Sequence, residues 1–373
     1  MSGATQTGEP VFDKFGSRRL TRRSFLGLAG ATLMGLAAFG LTGCGSQSSS
    51  TSASEATAGS TVELTNVSYD PTRELYEEYN KIFAEYYKKK KDITVNVTQS
   101  HGGSGKQARS VTEGAAADVV TLALAHDITQ IVDAGLIDEG WEGEFDEQSL
   151  PYTSTINFLV RAGNPKNIKD WDDLVKDGVE IINPSPKSSG GACWNFLAAW
   201  YYASKKFNDD ENQVKDFMKK LYANVTVMDS GARGATTTFV ENGQGDVLIA
   251  WENEAINSNR DYPGKYEIVT PSVSILAQPS VAVVDENAEK DGVAQVAHDY
   301  LEYLYSNKAQ RLVGKYGYRP SNEKILKEFK DTFDLNVDLC KISDFGGWDA
   351  AYEKFFQDGA IFDEIYTGDA ASS

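Results

Sequence analysis

Four short stretches of this chain share one pattern, in which an extended run gives way to Gly, Ser or Ala residues and then to a helix-forming segment. They are Val67-Ser68-Tyr69-Asp70, Ser100-His101-Gly102-Gly103-Ser104-Gly105-Lys106, Lys187-Ser188-Ser189-Gly190-Gly191 and Asp229-Ser230-Gly231-Ala232-Arg233-Gly234. The first backbone N–H groups of a helix have no intrahelical partner, and the helix dipole places partial positive charge there. Small residues let an anion come close to those groups. Several such ends aimed at one point form a site for a tetrahedral oxyanion without any cationic side chain. One such loop is ordinarily only a turn; four in one chain are the signal.

Two other chemistries touch the same residues and fall short. Gly105-Lys106 partly matches a phosphate-binding P-loop, but Ser100 stands where the first glycine belongs and Gln107 where a Ser or Thr would hold magnesium. His101-Gly102-Gly103 partly matches the oxyanion hole of esterases, yet no G-x-S-x-G nucleophile elbow occurs in the chain. The three histidines, His101, His126 and His298, stand beside no recognisable nucleophile motif. An exported hydrolase is therefore a remote alternative, and a scaffold or adhesion protein would not need these loops.

The elements that must position the loops alternate between strand and helix. Val62–Val67 reads as a short strand, and Asp70-Pro71 then puts a capping side chain ahead of a proline at the first helical position. Leu75, Tyr79, Ile82, Phe83, Tyr86 and Tyr87 recur at helical spacing. Ile93, Val95 and Val97 alternate as a strand ahead of a loop over 100–105, and 118–125 is apolar enough to be a strand buried on both faces. Strands at 156–160, 179–182, 246–251 and 281–284 are interleaved with helices at about 191–206, 212–222 and 235–242. This alternation predicts an α/β fold of parallel or mixed sheets covered by helices.

The amino terminus reads as an export signal. Arg18, Arg19, Arg22 and Arg23 precede an apolar run from Phe25 to Leu41 that ends in Leu41-Thr42-Gly43-Cys44. Thr21-Arg22-Arg23-Ser24-Phe25-Leu26 resembles a twin-arginine signal, and the Leu-Thr-Gly-Cys tetrapeptide resembles a lipobox, with Cys44 as the lipid attachment point. An uncleaved signal anchor is the alternative, although the run is short for a span. Residues 44–60, rich in Ser, Thr and Ala, read as a flexible tether. Removal of residues 1–43 takes away five basic and two acidic residues and leaves 31 basic against 52 acidic, a net charge of −21. Such a surface repels nucleic acid and anionic headgroups, so the expected membrane contact is through the lipid alone. Cys193 and Cys340 are the other cysteines; a disulfide and two separate buried thiols both remain open.

Longer segments carry a resemblance. Residues 66–76, Gln99-Ser-His-Gly-Gly-Ser-Gly-Lys-Gln107, Pro186-Lys-Ser-Ser-Gly-Gly-Ala192, Asp229-Ser-Gly-Ala-Arg-Gly234 and Gly245-Asp-Val-Leu-Ile-Ala-Trp-Glu-Asn-Glu254 are similar to the periplasmic sulfate-binding protein family. Tyr318-Arg319-Pro320 and Phe345-Gly-Gly-Trp348 are similar to it as well, and the likeness runs from about Val62 to Tyr366. The resemblance implies a two-lobed type II periplasmic binding fold, each lobe a mixed sheet flanked by helices and joined by two crossing hinge strands. Lobe one would be 60–153 plus 279–373 and lobe two 154–278, with crossings near 153–156 and 276–279. It implies a monomeric, non-catalytic receptor without cofactor or metal, lipid-anchored on the outer face of the cytoplasmic membrane. That receptor would deliver sulfate to a permease and its ATPase subunits; thiosulfate is the alternative ligand.

Matched motif by motif, the implied ligands are the N–H of Asp70, the hydroxyl of Ser104, Ser189 with the N–H groups of Gly190 and Gly191, the N–H of Ala232, and the indole N–H of Trp251. A tryptophan at a strand end is ordinarily core, but its neighbours all match here, and an indole can only donate. Arg233, Lys106 and His101 would support the loops from outside the contact layer. One position departs from the pattern: Cys193 stands where the family usually has arginine after Gly-Gly-Ala. Sulfate near neutral pH carries no proton, so donors alone satisfy it. The proton of hydrogen phosphate would find no acceptor, at a cost of about 1 to 3 kcal/mol for the buried unpaired group.

Overall fold

The computed structural model describes residues 56–366. The export signal expected over 1–43 and the lipid attachment expected at Cys44 lie outside the described residues, as does most of the expected tether. Two sheets organise the chain. The first has β1 (Thr61–Tyr69), β2 (Thr94–Gly102), β3 (Val119–Leu122) and β11 (Ser280–Val283) in the order β11-β3-β1-β2. The second has β5 (Ile156–Arg161), β6 (Ile181–Pro184), β7 (Val225–Asp229), β8 (Val247–Trp251) and β9 (Tyr266–Val269) in the order β7-β6-β8-β5-β9. Two small pairs complete the set, β4 (Tyr152–Thr153) with β12 (Arg319–Pro320) and β10 (Val273–Ile275) with β13 (Asp338–Cys340). The fold class is the α/β arrangement expected, with parallel and antiparallel neighbours in both sheets.

The loop-bearing strands are neighbours in each sheet. β1 and β2 run parallel in a register that sets Tyr69 against Gly102, so Asp70 and Gly103 leave the sheet side by side. β6 and β7 are also parallel, with Pro184 against Asp229, and Ser185 and Ser230 leave together. β2 extends through Gly102, three residues into the stretch expected to be loop. Gln107 accounts for this, because its side-chain amide donates to the Ser68 carbonyl and to Ser100 Oγ, each at 3.0 Å, and holds the strand end in place.

The helices follow their sequence signals, although the one expected at about 235–242 starts three residues earlier, at Ala232. Pro71 stands in the short turn Asp70–Thr72 that leads into the helix Arg73–Lys91, which buries Leu75, Tyr76, Tyr79, Phe83 and Tyr87 along one stripe. Lys88 to Lys91 occupy its last turn, where cations complement the dipole. The helix Gly190–Lys206 buries every residue from Gly190 to Trp200, because it is covered on two sides. One cover is the second sheet. The other is the carboxyl-terminal segment.

That second cover is the end of the chain. Residues 340–366 lay their rings on helices of the second sheet: Trp348 on Trp194 at 4.7 Å, Phe355 on Trp200 at 4.8 Å, Phe356 on Phe196 at 5.4 Å and Phe362 on Tyr222 at 5.4 Å. Lys187 Nζ clamps the segment through Asp363 at 2.8 Å and the carbonyl of Phe356 at 3.0 Å. Strand and helix periodicity says which face of a segment is apolar but not which distant face it meets. Cys193 and Cys340 are buried free thiols.

Between the sheets, Ser154 and Ala277 exchange backbone hydrogen bonds at 2.9 Å. Nearby, Arg319 donates to Glu252 through two bonds of 2.6 and 2.9 Å, and both side chains are almost wholly buried. Burial raises the Glu252 carboxyl above its usual range, and Arg319 opposes that shift. Removing one partner of a buried pair strands the other charge, at a cost of about 3–5 kcal/mol. Arg319→Leu is therefore expected to lower unfolding free energy by that amount in urea titrations at neutral pH. A loss below about 1 kcal/mol would mean that Glu252 finds water or another donor.

Candidate functional site

The four loops meet. Asp70 opens the turn after β1, Ser104 is the first residue of the helix Ser104–Thr112, Gly190 begins the helix Gly190–Lys206, and Ala232 begins the helix Ala232–Val240. In none of these four does a side chain of the preceding residue cap the helix, so the leading N–H groups stay available for another acceptor. A small cavity is lined by Tyr69, Asp70, Pro71, Gly102, Gly103, Ser104, Ser189, Gly191 and Ala232. Its wall draws on both sheets and includes no Lys or Arg.

Glycines make this convergence possible. A Cβ on Gly103 would run into the Ser188 carbonyl oxygen, and one on Gly231 into Asp70 Oδ2. A Cβ on Gly190 would come within 2.9 Å of Ser104 Cβ and Leu124 Cγ. Each of these contacts joins one sheet's loops to the other's. Further bonds tie the halves together: Trp194 Nε1 donates to the Ala123 carbonyl at 2.9 Å, and Asn253 Nδ2 to the Pro71 carbonyl at 3.4 Å.

Of the seven residues expected to contact the anion, Asp70, Ser104, Ser189, Gly191 and Ala232 line the cavity. Gly190 lies beside them, against Ser104 and Ala123. Trp251 stands behind Gly191, and its indole N–H donates to the Gly191 carbonyl at 3.1 Å. Ser104 likewise spends its hydroxyl proton within the protein, on Asp127 Oδ2, while its oxygen accepts from the Ala123 N–H at 2.9 Å. A buried donor takes the acceptor within reach, and both of these donors have one.

The supporting residues fall as follows. Arg233 Nη2 bonds Glu74 Oε1 at 2.6 Å, with both side chains partly exposed, which links the helix Ala232–Val240 to the helix Arg73–Lys91. His101 Nδ1 lies 3.4 Å from the Tyr69 carbonyl oxygen, and burial together with Arg73 holds its imidazole down to about 4, so it is neutral at neutral pH. Lys106 is exposed. The Asp70 carboxyl is raised by burial, with Arg73, Arg233 and Lys106 pulling the other way; Arg73 Nη2 is 3.9 Å away.

Two acidic residues at the site escaped the sequence reading. Asp127 is fully buried and pushed up to about 7 by desolvation, with the Ser104 bond opposing. Glu254, also raised to about 7 by burial, accepts from Thr236 Oγ1 at 2.6 Å. Gly245–Glu254 had already stood out as a motif, but no local signal marks Asp127, because its partner lies 23 positions away.

Two sheets of this topology, with helix N-termini converging between them, define a two-lobed solute-binding protein. The chain belongs to the bacterial extracellular solute-binding protein family, whose model matches residues 64–319. It is 54% identical over 305 residues to the sulfate-binding protein of Escherichia coli K12, covering 82% of this chain and 93% of that protein. It is 45% identical over 307 residues to the thiosulfate-binding protein of Pseudomonas aeruginosa, covering 82% and 92%. Among solved structures, the sulfate-binding protein SubI from Mycobacterium tuberculosis superposes with a TM-score of 0.71 at 34% identity, over 79% of this chain and 99% of that one. The family is one of transport receptors rather than enzymes, and its periplasmic members are exported.

The Gly103 contact tests whether the closed arrangement is the binding form. Gly103 has an ordinary backbone angle (φ −60°), so alanine is tolerated locally and clashes only across the cleft. Gly103→Ala should leave the melting temperature close to that of the parent yet weaken anion binding at least tenfold, roughly 1.4 kcal/mol. Parent-like affinity by calorimetry would show that binding does not need this contact.

Proposed function

We propose that this protein is the extracytoplasmic receptor of a sulfate importer, which encloses the anion between its two sheets and presents it to a permease driven by ATPase subunits. The observation that carries this reading is the cavity itself, where helix N-termini and serine hydroxyls converge with no basic side chain in the wall. The 54% identity to the sulfate-binding protein of Escherichia coli K12, against 45% to the thiosulfate-binding protein of Pseudomonas aeruginosa, supports sulfate as the ligand.

In this reading the N–H groups of Asp70, Gly190, Gly191 and Ala232, the hydroxyls of Ser104 and Ser189, and the indole of Trp251 hold the dianion. Arg233 acts at a distance, since its guanidinium is bonded to Glu74. Trp251 and Ser104 join the ligand set by exchanging the Gly191 carbonyl and the Asp127 carboxylate for sulfate oxygens. A hydrogen bond to a charged ligand is worth roughly 1.5–3 kcal/mol, or one to two orders of magnitude in affinity.

Calorimetric titration with sulfate, thiosulfate, molybdate and phosphate should rank sulfate far above phosphate at neutral pH. Ser189→Ala and Trp251→Phe should each weaken sulfate by ten- to a hundredfold, about 1.4 to 2.8 kcal/mol. Arg233→Gln should cost less, and moderate salt should erase much of that cost. A loss for Arg233→Gln that exceeds both others and persists in salt would mean that charge, not dipoles, holds the anion. Equal affinity for phosphate would place an acceptor in the wall and remove the sulfate reading.

The lobes would be 60–153 with 279–373, and 154–278. The anchor is part of the same proposal: export through the twin-arginine signal, cleavage before Cys44 and acylation of its thiol, with 44–60 as the tether. Cys44→Ala should release the protein from the membrane fraction or leave it unprocessed. Full membrane retention of a mature-sized Cys44→Ala product would exclude the lipid.

A further inference from the structure

Asp127 is a buried carboxyl that the sulfate site does not use as a ligand, yet it holds one of the proposed ligands by the proton. Ser104 has one hydroxyl proton and two lone pairs. One lone pair accepts from the Ala123 N–H at 2.9 Å, and the proton goes to Asp127 Oδ2. With Asp127 ionised, Ser104 therefore cannot donate to an anion without stranding the carboxylate. Should it do so, a buried negative charge would face a dianion with no hydrogen bond between them.

The surroundings of Asp127 offer no countercharge. Among the described residues no cation forms an ion pair with it. The helix Gly190–Lys206 presents the Cys193 thiol, itself pushed up by burial and by Asp127. The helix Trp348–Phe355 presents the Tyr352 phenol, raised by burial first and by Cys193 and Asp127 after it. On its own helix, Ala125–Asp133, the neighbouring His126 stacks on Tyr352 at 3.9 Å, stands 3.7 Å from Asp349, and is held below its usual range by burial. Lys106 and Arg109 on the packed helix Ser104–Thr112 are exposed, and β3 and β11 carry no ionisable residue. Lys354 is bonded to Glu211 at 3.2 Å, and Lys187, the cation on the Cys193 side, is spent on Asp363 and on carbonyls. Cys193 is the position where arginine would be expected from the resemblance, and a thiol there leaves the acid uncompensated.

We propose that Asp127 becomes protonated when sulfate binds, so that this receptor takes up one proton from water with each anion. The bonding then closes without a stranded group. The proton on Asp127 Oδ2 is donated to the second lone pair of Ser104 Oγ, and the Ser104 proton, released from the carboxylate, turns to a sulfate oxygen. Asp127 is thus a positioning residue that acts through Ser104. The proposal rests on the sulfate reading of the cavity.

The linkage has a definite sign. A form that binds only with Asp127 protonated has an apparent affinity that is level below the free-state ionisation and falls about tenfold per pH unit above it. Because burial already holds the free acid near 7, sulfate affinity should drop roughly thirtyfold between pH 6 and 8.5. Calorimetry at pH 8 in buffers of different ionisation enthalpy should report more than half a proton taken up per sulfate.

Asp127→Asn, whose amide donates to Ser104 without titrating, should flatten the affinity profile to within about threefold and abolish most of the uptake. Cys193→Arg, which supplies the missing cation, should reduce the uptake by keeping Asp127 ionised. Sulfate binding with no proton uptake and a level pH profile overturns the proposal and leaves the functional reading intact. An Asp127→Asn protein that keeps the parental slope overturns it as well and moves the proton to Glu254, the other buried acid near the cleft. Failure of sulfate to bind at any pH removes the functional reading and the proposal together.

Discussion

An anion enclosed by protein must be met by donors already fixed in place, because donors that have to be gathered cost the entropy of ordering them. Helix N-termini meet that demand at no such cost, since their first N–H groups are fixed by the helix and unpaired by its geometry. Much of the architecture follows from this constraint. β1 lies beside β2 and β6 beside β7, each pair parallel and in a register that releases both loops at one level. Glycine occupies the positions where those loops touch across the cleft. A side chain at Gly103 or Gly231 would hold the two sets of donors apart.

Full charges are used elsewhere. Arg233 with Glu74 and Arg319 with Glu252 each connect elements associated with different sheets, and Lys187 gathers the carboxyl-terminal segment onto the second. The partly exposed Arg233 pair is weak and screened by salt. The buried Arg319 pair is costly to break because of what it would leave behind. In this division of labour, ion pairs hold the halves together while dipoles face the cleft. It keeps cations out of the cavity wall, where a fixed charge would bind any anion of suitable size.

Asp127 and Glu254 complicate that division, because both are buried carboxyls near the cleft that burial lifts to about 7. Glu254 has Thr236 as a donor and Arg233 at a distance. Among the described residues, Asp127 has Ser104 alone as a side-chain donor.

The α/β class, the four strand-to-helix turns and the approximate places of the main strands were legible in the sequence, because each depends on neighbours within a few residues. Exact limits shifted: the strand expected at 179–182 lies at Ile181–Pro184, and the helix expected from about 235 starts at Ala232. Pro71 starts a helix through its own fixed backbone angle, and Val119–Leu122 reads as doubly buried from its own composition. Only the tertiary structure decided where the donors point and what lies behind them. Trp251 meets Gly191 from 60 positions away and Ser104 meets Asp127 from 23. No local pattern encodes which acceptor lies within 3 Å of a folded side chain. The same limit placed the tail at 340–366, whose rings are apolar on any reading. They came to rest on Trp194, Phe196 and Trp200 because that helix still had an uncovered face. Periodicity reports that a face must be buried, whereas its partner is chosen by the shape of the whole chain once packed.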